Sequence, residues 1–256
     1  MTPISDRKRR EIAEREEIFL DLALRIVLEQ GYVGLTMDKL AEATEYSKGT
    51  LYLHFKNKED VICALLRRLQ MVRLEFFQRA ADLELPPRQR ITALGLAAEL
   101  FVLTYPENAR IEPILKASSI REKASKERCD ALDEVEMQCF GTVLEIAQEG
   151  LVAGDLELSD GNSAEHLVTG LWSMHVGVNL IASAGCGPWQ MDDKNSGLAF
   201  LQETLYMNGS RLLDGYGWRP LSNEFDYRAL RQDLLRTQFS DEAKSLGLLD
   251  SPTTAR

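Results

Sequence analysis

What this sequence has little of narrows the possibilities first. Its four cysteines, Cys63, Cys129, Cys139 and Cys186, show no CxxC spacing and no Cys/His cluster. That argues against a disulfide framework and against a zinc site, and leaves reduced thiols. Histidines number only three. His166 and His175 are nine residues apart and fall on opposite faces of a helix, so they cannot share one ion and no metal is expected. His54 has no serine, cysteine or carboxylate partner at a recognisable spacing, so the chain is expected to have no catalytic residue, no enzymatic activity and no cofactor. The longest apolar stretch, LVTGLWSMHVGVNLIASAG, carries His, Asn and Gly in an amphipathic rhythm and does not resemble a bilayer span. An apolar leader is also lacking, since the chain opens with Asp6 and a basic run; a cytoplasmic protein is expected. Sustained apolar/polar alternation is absent too, which excludes a sheet-rich fold.

Charge excess of positive sign is the last absence. The net charge is −10, at first sight unsuited to a polyanionic partner. Its distribution changes that reading: residues 1–68 hold 12 Lys+Arg against 12 Asp+Glu, while the remaining 188 hold 18 against 28. The first quarter is therefore neutral, and Arg7-Lys8-Arg9-Arg10 within it is either an arm reaching along DNA or a solvated tail.

What is present is helical periodicity. Phe19, Leu22, Ala23, Ile26 and Val27 line one face of a first helix that Gly31 stops. Thr36 caps a second helix running through Ala43, and Ser47 caps a third running to about His54. Asn57 with Asp60 forms a capping-box variant opening a long helix over 58–84. Further helices are expected over 89–104, 107–117, 119–150, 163–184 and 194–213, with a weak one over 223–238 and a loop over 151–158.

Three helices within 55 residues, the second and third joined by a short turn, describe a helix-turn-helix unit. Its core needs a small residue in helix two and an apolar plug ten positions later, which Ala41 and Leu51 supply; Leu40 and Phe55 complete it. With these inward, Lys48, Thr50, Tyr52 and His54 are left for the outward face, where a major groove would lie. Thr36, Ser47 and Lys58 place helix N-termini toward phosphates, and Gly49 lets the backbone approach base edges. Lys48 and Thr50 suit base readout, whereas Tyr52, His54 and Lys58 suit phosphates.

The segment GLTMDKLAEATEYSKGTLYLHFKNKEDVICALL, residues 34–66, resembles the DNA-binding domain of TetR-family transcriptional regulators: Thr36, then Ala41-Glu42-Ala43, then Ser47 through Tyr52, His54-Phe55 and Lys58-Glu59, all in register. The resemblance implies an all-α homodimer, with an N-terminal helix-turn-helix domain followed by a larger helical ligand-binding and dimerisation domain. Partners implied are a double-stranded, palindromic DNA operator and a small-molecule inducer. Domains are expected at 1–66, 67–220 and, as a partly disordered extension, 221–256. Where the family's turn commonly holds Gly then Val, this chain has Glu45 and Tyr46. A positive φ at Glu45 would cost about 1 kcal/mol, and its charge would lie near passing DNA. Tyr46 either packs or contacts a base.

In the second domain, Leu167, Leu171, Met174, Val178 and Ile181 form one stripe and Leu198, Leu201, Leu205 and Leu212 another. Both suit core, or a four-helix seam between two chains. Phe77, Phe101, Tyr105, Phe140, Trp172 and His175 are the candidate ligand-pocket residues. Two functional readings follow: a repressor released from its operator by a small hydrophobic or amphipathic ligand, and a helical interaction protein on the same scaffold with weak or lost DNA binding.

Overall fold

Every regular element among the described residues is a helix, as the 3.6-residue spacing of apolar side chains requires. A computed structural model of the 256-residue chain describes residues 6–106, 112, 118–159, 161–184 and 194–249. The helix expected over 107–117, Cys186 and the final residues 250–256 therefore lie outside the described residues, Glu112 excepted. The chain forms two units, Met1–Met71 with Ile111–Glu136 and Val72–Arg110 with Met137–Arg256. The first unit thus extends past the expected boundary at residue 66, to Met71, and takes in the later segment Ile111–Glu136.

The first unit contains α1 (Asp6–Gly34), α2 (Met37–Glu42), α3 (Lys48–His54), the start of α4 (Lys58–Ala81), α6 (Ser118–Arg121) and the start of α7 (Lys126–Ala153). Helix α1 begins earlier than the apolar stripe: Arg7-Lys8-Arg9-Arg10 are exposed but helical, with Arg7 paired to Glu11 at 2.8 Å, so they are not a free tail. Regular α1 geometry breaks at Gly31, whose φ of 70° lies in the left-handed region that favours glycine. The core holds Phe19, Leu35, Leu40, Leu51, Phe55, Ile62 and Leu65, all fully buried, together with Ile120 and Leu132 from downstream. Each such side chain contributes about 1.5–3 kcal/mol through burial.

The cap of α4 follows the expected pattern with one shift. Asn57 Oδ1 accepts the Asp60 N–H at 2.8 Å, but Asp60 Oδ2 reaches back to the Lys56 N–H at 3.0 Å rather than to that of Asn57. Its other oxygen accepts the Ser125 N–H at 2.7 Å, and Asn57 Nδ2 donates to Lys123 O at 3.0 Å. Asp60 is buried, which a carboxylate tolerates only when hydrogen-bonded in this way.

The second unit contains α5 (Pro87–Thr104), the remainder of α7, α8 (Ala164–Ala184), α9 (Lys194–Gly215), α10 (Tyr227–Arg236) and α11 (Ser240–Ser245). Helices α8 and α9 pack together, and Gly170 admits a Leu212 methyl to within 3.2 Å of where a Cβ would stand. Residues 221–249 include α10 and α11, both packed on α5. Arg231 pairs with Glu99 at 2.6 Å, and Arg79 holds Glu242 at 2.5 Å and Gln238 O at 2.7 Å. Trp218, fully buried, donates its indole N–H to Asp155 at 3.1 Å, and the Arg219 N–H bonds the Asp155 carbonyl at 2.7 Å. Burial pushes the Asp155 carboxyl above its ordinary value. Gly150 is required here, because a Cβ on it would stand 2.8 Å from the Trp218 ring. Gly150→Ala is expected to lower stability by about 1–3 kcal/mol through overpacking against the indole. Chemical denaturation followed by tryptophan fluorescence measures this.

Candidate nucleic-acid interface

Thr36 Oγ1 accepts the Lys39 N–H at 3.1 Å and caps α2, and Ser47 Oγ accepts the Thr50 N–H at 3.2 Å and caps α3. Leu40, Leu51 and Phe55 are fully buried and Ala41 packs against them, so α3 turns one face to the core. The opposite face carries Ser47, Lys48 and Gly49, all exposed, Thr50 half-buried beside Ser47, and Tyr52 at 45% exposure. Leu53, 87% exposed, adds an apolar side chain beside them, of the kind that meets a thymine methyl. Lys48 pairs with Asp38 in the first turn of α2, a hydrogen bond and charge that raise the lysine pKa and hold it cationic. Lys58, at the start of α4, lies 4.1 Å above the Tyr32 ring. The Tyr32 hydroxyl donates to Glu59 at 2.8 Å; burial and that acceptor push its pKa up to about 12.

Three expectations change. Glu45 carries no strain, since no non-glycine among the described residues has a positive φ. Tyr46 packs: its ring meets Phe19 edge-on at 5.6 Å and Arg15 lies 5.5 Å above it. His54 is not on the outward face. Its side chain is only 6% exposed, edge-on to Phe19 at 5.3 Å, with Nδ1 3.6 Å from Glu16. Helical rotation explains this: Leu51 and Phe55 flank His54 and draw the last turn inward.

Arg128 and Glu16 complete the arrangement without any signal in their spacing. Arg128 Nη1 and Nη2 grip the two Glu16 oxygens at 2.7 and 3.0 Å, Nη2 also donates to His54 O at 3.1 Å, and the guanidinium lies 4.9 Å over the Phe55 ring. For Glu16, burial works to raise the pKa, but the Arg128 hydrogen bond and charge, helped by His54, bring it below the ordinary carboxylate value.

Of the six candidate ligand residues, Phe101, Tyr105, Phe140 and Trp172 fall into local ring contacts. Phe101 and Tyr105 pack with Phe76 at centroid distances of 6.0 and 6.4 Å, and Phe77 is buried. Phe140 meets Trp172 edge-on at 6.3 Å, yet Trp172 is 52% exposed; His175 is half-buried on the same helix. A cleft of about 520 Å³ lies elsewhere, lined by α9 residues including Tyr206, Arg211 and Asp214 and by 222–228, and includes none of the six. Among the described residues no group of acidic, histidine or cysteine side chains could hold a metal, and no helix is long and apolar enough to cross a membrane.

A buried three-helix core presenting a polar recognition helix defines a helix-turn-helix protein. Residues 19–65 match the family described as "Bacterial regulatory proteins, tetR family". Over 53 residues the chain is 45% identical to the HTH-type transcriptional repressor AcnR of Corynebacterium glutamicum, spanning 21% of this chain and 28% of that protein. The fatty acid metabolism regulator protein of Bacillus subtilis is 38% identical over 48 residues, 19% of this chain and 25% of that protein. The chain thus spans well under two thirds of these relatives. Beyond the first domain the likeness is one of fold. A TetR transcription regulator from Haloarcula marismortui superposes with a TM-score of 0.60 at 16% identity, over 80% of this chain and 98% of that one. FadR from Bacillus subtilis in complex with stearoyl-CoA gives 0.57 at 18%, over 75% and 95%.

Because the folded-state pKa of Glu16 is depressed, its stabilising contribution is present above the ordinary carboxylate value and lost as pH falls through the lowered one. Thermal midpoints measured from pH 6 to pH 3 are expected to fall less steeply for Glu16→Gln than for the unaltered protein; parallel curves would contradict the assignment.

Proposed function

We propose that this chain is a dimeric, sequence-specific DNA-binding transcriptional regulator, a repressor that leaves a palindromic operator when a small amphipathic molecule binds. The carrying observation is the rotation of α3: Leu51 and Phe55 are fully buried while Lys48, Gly49 and Tyr52 remain open. Lys48 and Thr50 would read base edges; Thr36, Ser47, Tyr52 and Lys58 would hold phosphates. With the His54 side chain turned inward, it is left out of the contacting set, while Tyr46 is half-buried against Phe19. Asp38 and Glu45 near this face set an electrostatic cost, so binding should be salt-sensitive and tuned by Lys48 exchanging Asp38 for DNA.

Dimerisation is supported by the second unit. Trp172, Val176 and Leu180 recur at four-residue spacing on α8 and are exposed, as are Phe200 and Met207 on α9. The stripes expected to form the seam behave differently: Leu167 and Leu201 are buried, and Leu171, Met174 and Val178 are half-buried. An exposed apolar face on two packed helices suits the same face of a second copy. Two recognition helices must then stand about 34–36 Å apart to enter successive major grooves, so a ligand that alters this separation releases DNA. The solved FadR complex with stearoyl-CoA supports an acyl-type ligand, and Phe77, Phe101, Tyr105, Phe140, Trp172 and His175 are the side chains proposed to respond to it.

Fluorescence anisotropy with duplexes from upstream of the protein's own coding region tests the reading. Lys48→Ala and Tyr52→Ala are each expected to weaken binding by about tenfold, in line with 1–3 kcal/mol per good contact. Binding to no duplex at low salt would remove the reading, and stearoyl-CoA added to the complex probes release. Val176→Asp is expected to convert the dimer to monomer in sedimentation velocity; an unaltered dimer would place the interface elsewhere.

A further inference from the structure

Arg128 touches α1, the end of α3 and the α3 C-cap at once, from a position more than 70 residues downstream of α3. We propose that Arg128 is the positioning residue of the recognition helix, setting the tilt of α3 and hence DNA affinity; this rests on the DNA-binding reading above. The carbonyls of a helix's last turn have no intrahelical donor, and the C-terminal dipole favours a cation there. In α3 that role falls to the Arg128 guanidinium on His54 O at 3.1 Å. The same group grips both oxygens of Glu16 on α1 and stacks over Phe55, so three elements converge on one planar fork.

The base of this lever is fastened separately. Asn57 holds Lys123 O and Asp60 holds the Ser125 N–H, so the segment just before Arg128 is tied to the N-terminus of α4. Arg128 then lies near the start of α7, a helix that continues to Ala153. A displacement of the first turn of α7 is therefore transmitted to the end of α3 through one side chain. Lysine cannot replace it, because an ammonium group cannot grip the carboxylate bidentately and cap the carbonyl in the same geometry.

The test uses the full chain with Arg128→Ala, Arg128→Lys and Glu16→Gln. Hydrogen–deuterium exchange over residues 46–56, thermal midpoint and duplex anisotropy are read together. Arg128→Ala is expected to speed exchange in that segment while the rest of the unit keeps its protection, and to weaken duplex binding by about tenfold or more through loss of at least one α3 contact. Arg128→Lys is expected to recover the midpoint but not the affinity, and Glu16→Gln, which leaves the cap on His54 O in place, to lose less affinity than either. Should Arg128→Ala fail to fold, the other two variants still decide. Full affinity and unchanged exchange in Arg128→Lys would overturn the proposal, since a merely structural cation would be interchangeable. If no duplex binds even the unaltered protein, yet exchange in 46–56 rises in both Arg128 variants, the positioning role stands and the DNA-binding reading falls.

Discussion

The rotation of α3 about its own axis is the constraint on which the first unit depends. Phe19 is the residue that imposes it: fully buried, it meets Tyr46, His54 and Phe55 edge-on at 5.6, 5.3 and 6.4 Å. Edge-to-face aromatic packing is directional, so these contacts select one rotation of a seven-residue helix that could not hold itself. Once Leu51 and Phe55 point inward, Lys48, Gly49 and Tyr52 have only the outside left to them.

Charge is arranged around that rotation rather than spread over a basic patch. Lys48 is held by Asp38, Lys58 lies over Tyr32, and Arg128 is consumed by Glu16 and the end of α3. The first two are accessible and exchangeable, and exposed pairs of this kind contribute little to stability. The Arg128–Glu16 pair is half-buried and bidentate, with a hydrogen bond to backbone besides, so it acts on geometry more than on net charge. A neutral first quarter in an acidic chain is thereby reconciled with a face that has cations to offer.

The second unit has its own anchor in the chain after Gly215. Trp218 on Asp155 ties the chain after α9 to the loop after α7, and Arg231 on Glu99 and Arg79 on Glu242 bring α10 and α11 against α5 and α4. Solved relatives of the fold superpose on 75–80% of the chain while covering 95–98% of themselves, so this chain is longer than those folds. The chain after Gly215 is held in the unit by buried aromatic and charged contacts.

Local physics was readable in advance. Helices α2, α3 and α4, the Thr36 and Ser47 caps, the Asn57–Asp60 exchange and the inward set Ala41, Leu40, Leu51 and Phe55 follow from periodicity and capping chemistry, both of which act within four residues. The single helix expected over 119–150 is instead split into α6 and α7, α7 runs on to Ala153 into the expected loop, and α11 lies beyond the expected helices. Helix continuation through Arg7–Arg10, the α10 and α11 packing, the burial of the His54 side chain and the half-burial of Tyr46 did not follow. Those outcomes depend on which distant surface a side chain meets, and polar composition at 7–10 or 221–249 carries no record of it. The aromatic residues at 77, 101, 105, 140 and 172 illustrate the same limit, for spacing says that a ring faces inward or outward but not whether a cavity awaits it. What the sequence alone determined was the helical type of each early segment and which of its faces is apolar, because hydrogen bonds and amphipathic periodicity are local. Only the tertiary structure decided that Arg128 would cap α3 and that Asp60 would hold Ser125, because long-range pairing is selected by packing of the whole unit and leaves no spacing rule behind.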